Sequence, residues 1–170
     1  MTRGGRHYRV AEREWKKPLD GRPGVASGGR WNSPGSFPVV YFNSTKALAR
    51  RFVAHKLRGQ PFGPELLDPR IGPVLVHANL PREPYVDIVT ESGCKAAGLP
   101  RSYPRDSAGS VVAHEACWPV GQAAWDAGER GIAGRSATDG ATLSDEELAW
   151  FQRNGALRAA EIEPFDKWFF

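Results

Sequence analysis

A chain of 170 residues fits one domain, and 41% hydrophobic with 25% charged residues excludes a disordered or fibrous polypeptide. Lys plus Arg number 23 and Asp plus Glu 19, a formal net charge of +4 with no long basic run. That permits a phosphate-bearing ligand and argues against a polybasic nucleic-acid tail. The two cysteines are too few for a disulfide scaffold, residues 1–7 carry no signal-peptide core, and no apolar stretch is long enough to span a bilayer. The expected address is the cytoplasm, with free thiols and no membrane association.

Taken in chain order, residues 7–10 read as a short opening strand. Residues 17–36, with Pro18, Gly21, Pro23, Gly24, Gly28 and Gly29, read as a long loop. Val39, Val40, Tyr41 and Phe42 form a strand by their β-branched and aromatic content. Ser44 is the expected N-cap of a helix over residues 45–57, which places Leu48, Phe52 and His55 on one inward face.

Residues 74–78 and 85–89 are two further strands, the second followed by a short helical piece near Cys94. Residues 100–113 form another loop. Pro119 opens a helix at its first position and Gly128 closes it, with Val120, Ala123, Ala124 and Ala127 as its apolar stripe. Residues 131–134 lead into a strand that ends near Ser136.

Residues 143–155 carry two conflicting signals. Ser144 and Glu147 make a capping box with Leu143 stapled to Leu148, whereas Leu148, Ala149, Trp150 and Phe151 suit a strand. The tail from Leu157 to Phe170 is expected to add an edge strand and an aromatic plug.

Chemistry concentrates in Gly28, Gly29, Arg30, Trp31, Asn32 and Ser33. Glycines allow close approach of backbone to a ligand, and Arg30 offers a planar fork of donors that matches phosphate oxygens. The segment is no standard phosphate loop, and a turn whose Trp31 plugs the core is the competing reading.

This segment, followed by Tyr41 and by a helix containing Ala47, Leu48 and Ala49, resembles the RES domain, a family named for Arg, Glu and Ser positions. Tyr8 with Arg9 resembles its opening aromatic–Arg pair, and Tyr85 to Ile88 its hydrophobic–Asp strand. Residues 125–128 and 131–137 resemble its closing stretch. The resemblance runs from about residue 7 to 170.

It implies a single domain over residues 1–170, of α/β (α+β) class, with an ADP-ribosyltransferase-like split β-sheet and flanking helices. It also implies a toxin that binds NAD⁺ and cleaves it, as mono-ADP-ribosyltransferase or as NAD⁺ glycohydrolase or phosphorylase. NAD⁺ is then substrate rather than cofactor, and no metal is expected. The implied partner is a helix-turn-helix antitoxin of Xre type that blocks the pocket, with a protein target if ADP-ribose is transferred. Arg9 and Arg30, with Trp31 beside them, would bind the NAD⁺ diphosphate. Tyr41, His55 and Ser136 would act at the nicotinamide riboside half.

One feature departs from the family. Its glutamate should fall on the helix after Tyr41, where this chain has Arg50, Arg51 and Phe52 and no acid from residue 44 to 58. Asp20, Asp87 and Glu115 are possible stand-ins, and the sequence selects none of them. A non-catalytic NAD⁺- or nucleotide-binding module is therefore the alternative reading. Direct nucleic-acid binding finds no support, because the basic residues do not cluster. His114 with Cys117 is too sparse for a closed zinc site, and Cys117 has no evident base to make it a nucleophile. Arg50 and Arg51 read as a solvated helix face.

Overall fold

The aromatic and β-branched runs become strands, and seven of them share one sheet in the computed structural model, which describes residues 1–170. They are β1 (Thr2–Ala11), β2 (Val39–Asn43), β3 (Val74–Pro84), β4 (Val86–Ile88), β5 (Gly131–Arg135), β6 (Glu146–Phe151) and β7 (Glu161–Glu163). The helices are α1 (Lys46–Lys56), α2 (Glu91–Ala96), α3 (His114–Asp126) and α4 (Phe165–Trp168). No helix is long and apolar enough to cross a membrane.

The strand order is β4-β5-β6-β2-β1-β3-β7, and only β4 and β5 run parallel. β1 and β3 are registered from Thr2 with Pro84 to Ala11 with Val74, whereas β1 meets β2 only at Tyr8 and Asn43. The sheet is thus split there into two halves, as the resemblance implied.

Side chains alternate across the sheet. One face buries Trp31, Phe37, Val39, Ile88, Ile132, Ala149 and Phe151, together with Cys117 and Ala124 of α3. The other face buries Ala11, Leu19, Val40, Phe42, Val76 and Leu148. A smaller cluster gathers Ala49 and Val53 of α1, Leu75, Phe165 and Trp168. The tail therefore supplies the expected edge strand and aromatic plug, although Phe170 remains exposed.

Several local expectations are corrected. Thr45, not Ser44, caps α1, accepting the Leu48 amide at 3.0 Å. The buried stripe of α1 is Leu48, Ala49 and Val53, and Phe52 is only half-buried. Pro119 lies inside α3 and forgoes one backbone bond. The stripe that α3 buries, Cys117, Gly121 and Ala124, begins N-terminal to that proline, so packing extends the helix past it. Gly128 closes α3 with φ of 81°, as expected.

Residues 146–151 are a strand, and no capping box forms. Leu143 is 72% exposed and staples nothing. As β6 the segment pairs with β2 on one side and β5 on the other and buries Leu148 on one face, Ala149 and Phe151 on the other. That burial and pairing outweigh a single N-cap, worth about 1 kcal/mol.

Candidate active site

The loop over residues 28–33 is clamped between β2 and α3. A Cβ on Gly29 would lie 2.6 Å from the Tyr41 hydroxyl, so a side chain there would hold the loop off β2. That hydroxyl accepts the Trp31 amide at 2.9 Å and donates to Asn32 Oδ1 at 2.7 Å. The Trp118 indole donates to the Gly29 carbonyl at 2.9 Å. From below, α3 approaches so closely that a Cβ on Gly121 would sit 1.6 Å from the Trp31 carbonyl oxygen.

The loop backbone is thereby rigid, and Arg30 projects from it half-buried. Its Nη1 donates to the Val112 carbonyl at 2.9 Å, it enters no ion pair, and its guanidinium also reaches the buried Tyr103 hydroxyl and Cys117 thiol.

The opposite wall comes from β5 and β6. Ser136, just past β5, donates its hydroxyl to Glu147 Oε1 and accepts the Thr138 amide at 3.1 Å. Thr138 Oγ1 donates to the same Oε1 at 3.4 Å. Burial pushes the Glu147 carboxyl above its usual range, against the Ser136 hydrogen bond, the positive charge of Arg30, the Thr138 bond and the charge of His55. His55 reaches this wall from α1, with Nδ1 3.6 Å from Asp139 Oδ2. A cavity of about 150 Å³ adjoins it, lined by Ser136 and Thr138 with Ser102, Arg105, Val111 and Leu143.

Four of the expected residues, Arg30, Tyr41, His55 and Ser136, are therefore gathered around the Glu147 carboxylate, and of these only Ser136 lines the cavity of about 150 Å³. Burial pushes the Tyr41 phenol above its ordinary range, and both functions of its hydroxyl are spent on the loop. It thereby ties the Arg30 loop to β2.

Two expected residues stand apart. Trp31 is 2% exposed and packs in the core with its ring 5.8 Å from that of Tyr103. Arg9 shares the sheet face of His7 and Ala11, opposite Tyr41, because side chains alternate along β1 and its register is set by β3. Its guanidinium lies 5.4 Å over the Trp15 ring, and burial pushes it down to about 10 in spite of Asp20. It does not join Arg30 in a diphosphate clamp.

The stand-in acids are engaged elsewhere. Asp20 pairs with Arg22 at 2.6 Å, Asp87 accepts the amides of Val89 and Thr90, and Glu115 lies exposed at the start of α3. Arg50 and Arg51 are not free on a solvated face. Arg50 donates to the Trp168 carbonyl at 2.9 Å, and Arg51 pairs with Asp145 at 2.7 Å. Cys117 is buried, which pushes its thiol up and keeps it protonated at neutral pH.

The residues missed by sequence reading are Glu147, Thr138 and Trp118. Glu147 had a signal, but it pointed to a helix cap. Away from the cleft, His77, Glu161 and Glu163 form a cluster at the β3–β7 edge, where Lys46 already meets Glu163 at 2.5 Å. A larger cavity of about 400 Å³, between residues 16–22 and 156–162, contains none of the cleft residues.

The model of the RES domain matches residues 6–167. The chain belongs to the RES-domain family. No curated protein matches it significantly. Among solved structures, a chain of the crystal structure of the M. tuberculosis MbcT-MbcA toxin-antitoxin complex shares its fold, with a TM-score of 0.77 at 19% identity over 99% of this chain and 91% of that one. In this RES domain the Arg30 and Ser136 positions both bear on Glu147, while α1 carries no acid.

Proposed function

We propose that this RES domain is the toxin of a toxin–antitoxin system that binds NAD⁺ and splits its nicotinamide–ribosyl bond. The observation that carries the reading is convergence. Arg30, His55 and Ser136, far apart in sequence, all bear on one carboxylate, Glu147. Family membership and a fold shared with a chain of a toxin–antitoxin complex support it.

The chemistry follows from the parts. Cleaving the bond leaves positive charge on the ribose, much as in glycoside cleavage. Arg30, on its clamped loop, holds diphosphate oxygens and so fixes the ribose relative to the β5–β6 wall. The acceptor is water, phosphate or a protein side chain, giving NAD⁺ glycohydrolase, NAD⁺ phosphorylase or mono-ADP-ribosyltransferase activity. The partner is a helix-turn-helix antitoxin of Xre type covering the cleft.

Purified protein incubated with NAD⁺, with and without phosphate and with a cell extract, should release nicotinamide. Expression alone in bacteria should arrest growth, and co-expression with the upstream or downstream gene should restore it. Absence of nicotinamide release together with harmless expression would overturn the reading. NAD⁺ binding without release would favour the non-catalytic module suggested by the acid-free α1.

A further inference from the structure

We propose that Glu147 is the catalytic carboxylate of this RES domain, taking from strand β6 the place that α1 leaves without an acid. The inference rests on the NAD⁺-splitting reading and names the group that performs it.

Geometry selects Glu147 among the acids. It is the carboxylate held by Ser136, and its cross-strand neighbours are Asn43 on β2 and Gly134 on β5, so it belongs to the half-sheet that carries Tyr41. Both hydroxyl bonds, from Ser136 and Thr138, go to Oε1. Oε2 accepts no hydrogen bond from the protein, and it is not among the polar atoms sealed from solvent without a partner. The carboxylate is thus fixed by one oxygen, and the other is left without a protein donor. Burial raises its carboxyl, and the Ser136 bond, the charge of Arg30 and the Thr138 bond work against that rise, toward the ionised form that a developing cation requires.

In the step assigned to it, Oε2 accepts a hydrogen bond from a hydroxyl of the nicotinamide-bearing ribose. That bond strengthens as positive charge grows on the ring. The bond between the ribose anomeric carbon and the pyridinium nitrogen breaks, and both electrons leave with nicotinamide, which departs neutral. A water lone pair forms the new bond to the anomeric carbon, and the water proton passes to Oε2 and then to solvent. With inorganic phosphate as acceptor, an anionic phosphate oxygen forms that bond and no proton need move. Arg51, the cation on α1 nearest in sequence to the expected acid, is turned to Asp145 and does not oppose the charge.

The test compares wild type, Glu147→Gln and Glu147→Asp for nicotinamide release, NAD⁺ affinity by calorimetry, and the pH profile of kcat/KM. Glu147→Gln keeps the shape and, with its amide oxygen in the Oε1 place, both hydroxyl bonds, while it loses the charge and replaces the Oε2 acceptor by an N–H donor. It should lower kcat by on the order of 100-fold or more while NAD⁺ affinity stays within a few-fold of wild type. The acidic limb of the wild-type pH profile should vanish from the residual rate. Glu147→Asp, shorter but charged, should retain an intermediate rate with that limb present, and it decides the matter if the Gln variant fails to fold. Wild-type rates in both variants, or an equal loss in binding and turnover with the acidic limb unchanged, would overturn the proposal while leaving NAD⁺ cleavage intact. Absence of nicotinamide release by the wild type would instead remove the reading on which it rests.

Discussion

Arg51 on α1 pairs with Asp145 at 2.7 Å and so fastens the helix to the turn that leads into β6. Asp145 also accepts the Thr142 amide at 2.8 Å and its hydroxyl at 3.0 Å. Burial by itself would raise this carboxyl, but the Thr142 bonds and Arg51 outweigh it and hold it below the usual carboxylate range. Because Arg51 is 40% exposed, Arg51→Ala should cost only about 1 kcal/mol or less, with nicotinamide release nearly intact. Asp145→Asn should cost more, since it weakens the turn as well. The Asp145 contribution is complete above the ordinary Asp value of about 3.9 and is lost as pH falls through its lowered folded value. Melting curves of both variants between neutral and acidic pH check this; an Arg51→Ala protein as inactive as one lacking Arg30 would mean that Arg51 binds ligand.

Glu147 shows the opposite linkage. Its carboxyl is raised on folding, so the folded chain holds the proton more tightly and ionisation works against folding. The penalty is absent below the ordinary Glu value of about 4.3, grows as pH rises toward the folded value, and is complete above it. Glu147→Gln should therefore melt higher than wild type at about pH 8 and nearly level with it at about pH 4. A gain that does not change with pH would show that the carboxylate is not strained by burial.

Arg30→Ala should weaken NAD⁺ binding by on the order of 2–5 kcal/mol, as when one partner of an enclosed charge pair is truncated. Loss of its bond to the Val112 carbonyl should lower stability by only about 1 kcal/mol, so the variant folds. Isothermal titration with NAD⁺ decides it, and unchanged affinity in a folded variant would remove Arg30 from the site.

Tyr41→Phe keeps the ring and strands two partners, the Trp31 amide and Asn32 Oδ1. Leaving such groups unpaired should cost about 1–3 kcal/mol. Since Tyr41 positions Arg30, the variant should bind NAD⁺ more weakly without any shift in the pH dependence of turnover. A lost basic limb in the rate profile would instead identify the phenol as a proton donor.

Gly121→Ala places a methyl group where the Trp31 carbonyl stands, so helix and loop must separate. Overpacking of this kind costs typically about 1–3 kcal/mol. It should depress NAD⁺ binding together with stability, although Gly121 touches no ligand. Ala at the neighbouring Gly128, whose added Cβ meets open space but whose φ is 81°, should reduce stability and leave binding alone. Measuring both variants separates a displaced loop from a generally weakened helix.

What was legible in the sequence was local. Strands at residues 39–43 and 74–78, the helix after Tyr41, the long loop before it and the Arg30 segment each show in their own residues, because alternation, periodicity, caps and glycine freedom act within a few positions. Even here the caps slipped: whether Ser44 or Thr45 opens α1 depends on where β2 ends, and Ser44 is drawn off to accept the Glu146 amide.

The tertiary structure alone decided everything that depends on which strands lie side by side. Residues 146–151 satisfy a helix cap locally and become β6 only because β2 and β5 wait on either side. That choice carries Glu147 into the cleft beside Ser136, a juxtaposition no spacing encodes. Arg9 shows the reverse. Its place beside Tyr8 suggested a phosphate ligand, but alternation along a strand sends adjacent side chains to opposite faces, and only the register with β3 says which face holds the site.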